Sequence, residues 1–249
     1  MIARTPACHM LWRMPRLPRF FVPELPLHIV QRGNDRQPIF VSRADAIFFR
    51  TCLARGLREH GVALHAYVFM TNHVHLLATP RMAASVPKLM QSLGRIYVQY
   101  FNATHTRTGT LWEGRYKAAI VDDERYLLTC MRYIELNPVR ARLVTNPARF
   151  RWSSFAANAL GVADGLVEPH AIYLDLGPTP ETRQAAYRDL FDSLISEPEM
   201  LSIRDATQHA WALGGPAFRS RIEEQSRRAD RLPMGRPRKH RRRSDESRV

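Results

Sequence analysis

The sequence predicts an α+β fold, an antiparallel sheet with helices packed on it, followed by a C-terminal helical appendage and a basic tail. Three observations lead there. Strand-like alternation and four-residue helical spacing succeed one another in the order strand, helix, strand, strand, helix, strand, helix up to Trp152. The two middle strands are separated only by the polar pair Thr71-Asn72, a connection short enough to impose antiparallel pairing. Beyond Trp152 the spacing becomes wholly helical, and a basic stretch from Gly235 to Arg243 follows.

Each element has a local cause. Leu27-His28-Ile29-Val30-Gln31-Arg32 alternates as a strand, and Gly33-Asn34-Asp35 supplies a turn. Ser42 with Asp45 forms an N-terminal capping signature for a helix whose Phe49, Leu53 and Leu57 recur on one face and whose stop is Gly61. Residues 62–70 and 73–79 read as the paired strands. Ser85 is placed to cap a second long helix with the stripe Leu89, Leu93, Tyr97 and Tyr100. Leu111 to Val121 is strand-like, with Gly114 as a bulge or a site of close approach. Glu124 to Leu136 is helical, and Pro138 ends or bends that helix.

In the appendage, Thr179-Pro180-Glu181 starts a helix whose buried face comprises Ala186, Tyr187, Leu190, Phe191 and Leu194. Two shorter helical stretches flank Gly214-Gly215-Pro216, as a helical hairpin or a helix-turn-helix. The expected division is an arm over 1–22, a catalytic domain over 23–160, the helical appendage over 161–230 and a basic disordered tail over 231–249. The arm has no continuous apolar core of a secretory signal and is broken by Pro15, Pro18 and Pro23; Met14 is a second candidate start.

Charge narrows the function classes. Lys and Arg number 37 against 23 Asp and Glu, a formal +14, which favours a polyanionic partner, nucleic acid first. No run of about 18 apolar residues suggests a membrane span. Cys8, Cys52 and Cys130 lack zinc-knuckle spacing, which fits a reducing cytoplasm.

Two constellations carry chemistry. On a strand, period two sends His73 and His75 to one face and Val74 to the other, so the imidazoles form an adjacent ligand pair; a polar strand face without metal is the plain alternative. On a helix, Tyr133 and Asn137 lie four apart and share a face. A phenol is a poor nucleophile at neutral pH unless a metal-polarised phosphate is nearby, and an Asn amide oxygen can complete a His, His, O set that leaves positions open, suiting Mn²⁺ or Mg²⁺ with zinc not excluded. Tyr126, seven residues earlier on roughly the same face, is the rival nucleophile.

Gln31-Arg32-Gly33-Asn34, Asn72-His73-Val74-His75-Leu76-Leu77, Leu111-Trp112-Glu113-Gly114-Arg115-Tyr116 and Tyr133-Ile134-Glu135-Leu136-Asn137-Pro138-Val139-Arg140 together resemble the REP-associated tyrosine transposases, relatives of the single-tyrosine HUH transposases. The resemblance runs from about Pro15 to Phe155. It implies a ferredoxin-like or RRM-like HUH domain, a divalent Mg or Mn held by His73, His75 and Asn137, and attack by Tyr133 on single-stranded or hairpin DNA. The product would be a 5′-phosphotyrosine with a free 3′-hydroxyl, made at hairpin-forming repetitive extragenic palindromes. Many insertion-sequence relatives have Gln where this chain has Asn137. The resemblance fits a bacterial cytoplasm with DNA-bound protein at the nucleoid, and it leaves monomer and homodimer both open.

Arg32, Arg115, Lys117 and Arg140 lie in or beside these motifs as candidate phosphate contacts, with a solvated charged face as the alternative. Arg236, Arg238 and Lys239 surround a Gly-Arg-Pro that resembles an AT-hook, which lies in a narrow minor groove; a non-specific phosphate-binding tail is the other reading. Two further functions stay open at this point: a non-catalytic DNA-binding regulator that keeps the fold, and a metal nuclease that activates water.

Overall fold

A computed structural model describes residues 20–230, so most of the expected arm and the whole basic tail, with Arg236, Arg238 and Lys239, lie outside the described residues. Strand β1 (Leu27–Arg32) is followed by a single 3-10 turn at Asn34–Arg36, tighter than the simple turn expected at Gly33-Asn34-Asp35. Helix α1 (Arg43–His60) starts and stops where its sequence says: the Ser42 hydroxyl accepts the Asp45 N–H, the Asp45 carboxylate accepts the Ser42 N–H at 2.7 Å, and Gly61 closes the helix at φ +62°. Strands β2 (Val62–Met70) and β3 (His73–Pro80) turn about Thr71-Asn72 and pair antiparallel.

Helix α2 (Ser85–Thr104) buries Leu89, Leu93 and Tyr97 and leaves Tyr100 half-buried against Phe48. Ser85 does not cap it. Ala84 takes the cap position, and the Ser85 hydroxyl instead accepts the N–H of Met82, securing the preceding turn. The long strand expected over 111–121 shrinks to β4 (Lys117–Ile120). Trp112 touches the sheet only through an isolated bridge to Gly33. The Glu113 N–H then bonds Arg32 O at 2.8 Å, and Gly114 at φ +65° swings the chain out before it returns. Helix α3 (Asp123–Glu135) ends just before Pro138, and a single helical turn, α4 (Asn137–Arg140), restarts with that proline in its first turn.

The sheet order is β2-β3-β1-β4 with every neighbouring pair antiparallel, the ferredoxin-like arrangement. Both faces are covered, which is why β1 buries alternate residues on each side rather than facing water on one. Leu27, Ile29, Val74 and Leu76 pack with Phe49 and Tyr97 of α1 and α2. The opposite face, with Ala66, Val68, Leu77 and Ala119, packs under Leu127, Ile134 and the later helices.

Those later helices are α5 (Phe155–Leu160), α6 (Ala171–Leu174), α7 (Pro180–Asp189), α8 (Glu197–His209) and α9 (Pro216–Asp230). They share the sheet's core: Tyr187 of α7 and Ile203 of α8 are fully buried in it. Leu194 does not join that face as expected; it is 94% exposed, because α7 stops at Asp189 and the helical spacing lapses before Leu194. At the end of α3, Glu135 is fully buried and accepts hydrogen bonds from Ser154 Oγ (2.6 Å), Asn158 Nδ2 (2.9 Å) and Tyr187 OH (2.8 Å).

Later segments also lie along both outer strands. Beside β2, Phe69 N–H donates to Trp152 O (2.8 Å), Ser154 N–H to Tyr67 O (3.0 Å) and Glu168 N–H to Leu64 O (2.7 Å). Beyond β4, Leu213 bridges Val121, with Leu213 N–H donating to Ile120 O at 2.7 Å. Among the described residues no helix is long and apolar enough to cross a membrane.

Candidate active site

Register places the histidines. β3 lies between β2 and β1, so His75 stands between Val68 and Val30 and His73 between Met70 and Arg32, with both imidazoles on the sheet face that α3 covers. Their ring centroids are 5.0 Å apart. The His73 Nδ1 hydrogen bond goes to Asn72 Oδ1 at 2.7 Å, and Asn72 Nδ2 donates in turn to Arg36 O at 3.0 Å, which orients the amide. A carbonyl oxygen only accepts, so His73 carries its proton on Nδ1 and turns a bare Nε2 outward.

His75 is 6% exposed, and its Nδ1 lies 2.8 Å from Nε2 of His28, a residue of β1 that faces the same way. The two rings are within 11° of coplanar. His28 Nδ1 in turn lies 2.8 Å from Thr207 Oγ1 on α8. Burial holds all three imidazoles neutral: it pulls His73 down to about 4, assisted by the Arg32 charge, His28 down to about 3, assisted by Arg140, and His75 well below the ordinary histidine range.

Tyr133 comes from the helix that covers this face. Its ring lies edge-on to His75 at 6.1 Å and to His28 at 5.9 Å, and it is 5% exposed. Arg140 lies over it: the guanidinium carbon sits 4.0 Å from the ring centre, and Nη2 donates to Tyr133 O at 2.8 Å. Arg140 Nη1 is buried without a hydrogen-bond partner among the described residues.

The sequence-predicted residues thus separate into two groups. His73, His75 and Tyr133 come together, and Arg32 stands beside His73 at the exposed end of β1. Asn137 turns its amide nitrogen back onto α3, donating to Tyr133 O (3.0 Å) and Ile134 O (3.2 Å), and makes no hydrogen bond to either histidine. Tyr126 is half-buried in the same core with no ring contact to the pair. Arg115 is exposed, and Lys117 donates to Gln208 Oε1. Arg140 points inward rather than to a solvated face.

Sequence reasoning passed over His28, which read only as part of a strand. The one local signal was a histidine in an otherwise apolar alternation; its partners lie 47 and 179 residues away.

The residues fit a divalent cation at an open site. Two neutral imidazoles offer Nε2 atoms that make no hydrogen bond with the described residues. Among those residues no group of three or more His, Cys, Asp or Glu could hold a metal ion, so the two imidazoles would need oxygen ligands of another kind.

Two solved structures are similar in part. One is a REP-associated tyrosine transposase bound to a REP hairpin, 14% identical with a TM-score of 0.48, covering 63% of this chain and 93% of that one. The other is a candidate transposase from Deinococcus radiodurans R1, 24% identical with a TM-score of 0.34, covering 49% of this chain and 96% of that one. No curated protein matches the sequence. The IS200-like transposase family matches residues 21–137, a segment that includes the whole sheet, His28, the His73 and His75 pair, and α3 with Tyr133.

Proposed function

We propose that this chain is a transposase that cuts and rejoins single-stranded DNA by transesterification, with Tyr133 as nucleophile and His73 and His75 as ligands of a magnesium or manganese ion. Asn137 would supply a third, amide-oxygen ligand after turning away from α3. One observation carries the reading: the two imidazoles and the phenol, from a strand and a distant helix, occupy one patch, with ring centroids 5.0 Å apart for His73 and His75 and 6.1 Å apart for His75 and Tyr133. When bound, the ion would polarise the scissile phosphate and neutralise charge that develops on it.

In the step itself, Tyr133 Oη loses its proton and forms a bond to phosphorus while the bond to the 3′-oxygen breaks. That oxygen leaves as a hydroxyl, and the 5′ end remains esterified to the tyrosine. Attack of a 3′-hydroxyl on the phosphotyrosine reverses the exchange, so strands rejoin without an outside energy source. Exclusion of water from the buried Tyr133 patch protects the ester from hydrolysis. The Arg140 guanidinium, already against the phenol ring, would meet the phosphate as it arrives. The proposed targets are hairpin-forming repetitive extragenic palindromes, as the motif resemblance implies.

Covalent trapping tests this. The full chain is incubated with end-labelled single-stranded hairpin DNA and Mn²⁺ or Mg²⁺ and run on a denaturing gel. A labelled adduct is expected, lost in Tyr133→Phe and kept in Tyr126→Phe. Cleavage without an adduct would instead indicate a water-activating nuclease, and binding without cleavage a regulator.

A further inference from the structure

His75 can bind a cation through Nε2 only if its proton resides on Nδ1, and the neighbour on that side is another histidine, which can donate or accept. The His28–His75 contact alone therefore leaves the direction open. Thr207 closes the question. Its Oγ1 lies 2.8 Å from the backbone carbonyl of Ile203, one helical turn back, and 2.8 Å from His28 Nδ1. A hydroxyl has one proton. A carbonyl oxygen can only accept, and two oxygens at that separation repel unless a hydrogen lies between them. The Thr207 proton is thus given to Ile203 O, and its lone pair must accept from His28.

The rest follows along the line. His28 donates from Nδ1, so its Nε2 is bare and accepts from His75 Nδ1–H across 2.8 Å. His75 then has its proton on Nδ1 and a free lone pair on Nε2. Reversal would require Thr207 to donate to His28, set its lone pairs against Ile203 O, and put a proton on the Nε2 that a metal needs. All members are enclosed: His28 is 1% and Thr207 4% exposed, so water cannot substitute for a missing link.

We infer that Thr207 and His28 form a one-way hydrogen-bond relay, anchored on the Ile203 carbonyl, that fixes His75 in the tautomer able to ligate metal. Both are positioning residues acting through His75. The inference rests on the proposed ligand role of His75, and it gives α8, outside the family-matched segment, a part in the site. His73 needs no such line, since its tautomer is set by its neighbour Asn72.

The test is heteronuclear nitrogen NMR on metal-free, imidazole-labelled full-length protein, followed by Mn²⁺ titration read by water-proton relaxation. Wild type and Thr207→Ser should both show His75 protonated on Nδ1 and bare on Nε2. Thr207→Val should show mixed tautomers at His28 and His75 and bind Mn²⁺ about 10- to 100-fold more weakly, the usual cost of losing an outer-shell partner. Wild-type His75 protonated on Nε2 overturns the relay whatever the variants do. So does a folded Thr207→Val protein with tautomer and affinity unchanged. The expected tautomers with no Mn²⁺ binding in any protein would uphold the relay and overturn the ligand assignment, so the two failures are distinguishable.

Discussion

Replacing Glu135 with Gln should stabilise the protein above neutral pH and leave it nearly unchanged in mild acid. The carboxyl is fully enclosed, and burial raises it from 4.5 to about 7 despite hydrogen bonds from Ser154, Asn158 and Tyr187 that favour its charged form. Between those two values the folded protein holds a proton that the unfolded chain has released, so stability falls as pH rises across that window. At roughly 1.4 kcal/mol per pH unit, the ionised group costs the native state about 3 kcal/mol once the pH exceeds its folded value. Gln is an isostere of the protonated acid: it keeps an acceptor for Ser154 and Asn158 and can donate to the Tyr187 oxygen. Urea unfolding followed by tryptophan fluorescence from pH ~5 to ~8 should therefore show a gap opening in favour of the variant toward the alkaline end. Glu135→Ala, which removes the acceptor of buried donors, should lose about 3–5 kcal/mol in mild acid, a deficit that shrinks by about 3 kcal/mol toward the alkaline end as the parent ionises. A parent protein that stays as stable as the Gln variant at the alkaline end would refute the reasoning.

Arg140→Gln should slow formation of the DNA–protein adduct by about 100-fold, the scale for losing one pre-placed donor, with near-parental unfolding; an unchanged rate on labelled hairpin DNA would remove Arg140 from the chemistry. Gly33→Ala should destabilise by about 1–3 kcal/mol in urea, because a Cβ there would lie 2.3 Å from Gln37 O and 2.9 Å from an Ile39 methyl; parental stability would show that this loop gives way freely. Deleting residues 235–249, which carry the final Arg-rich run, should weaken DNA binding and flatten its salt dependence without abolishing the adduct. An unchanged slope over a salt series would exclude a tail contact with phosphates.

What could be read in the sequence was local. Ser42, Asp45 and Gly61 fix both ends of α1 through contacts no more than four residues long, and Thr71-Asn72 leaves β2 and β3 no choice but to pair antiparallel. His-x-His followed from strand periodicity alone. The errors came where a distant constraint decided. Gly114 was readable as an irregularity within 111–121 but not as a left-handed turn that leaves only Lys117–Ile120 in the sheet, and helical spacing carried Leu194 past a helix that had already stopped. His28 and Thr207 escaped notice for the same reason: each acquires meaning only when β1 lies beside β3 and α8 closes over both.

The segments lying along β2 and β4 bear on self-association. A sheet normally offers its outermost strands to a second molecule, but here the backbone groups of Tyr67 and Phe69 are engaged by Ser154 and Trp152, and the far side is engaged by Leu213. Along β2, a second copy could therefore extend the sheet only after the 152–168 segment had peeled away.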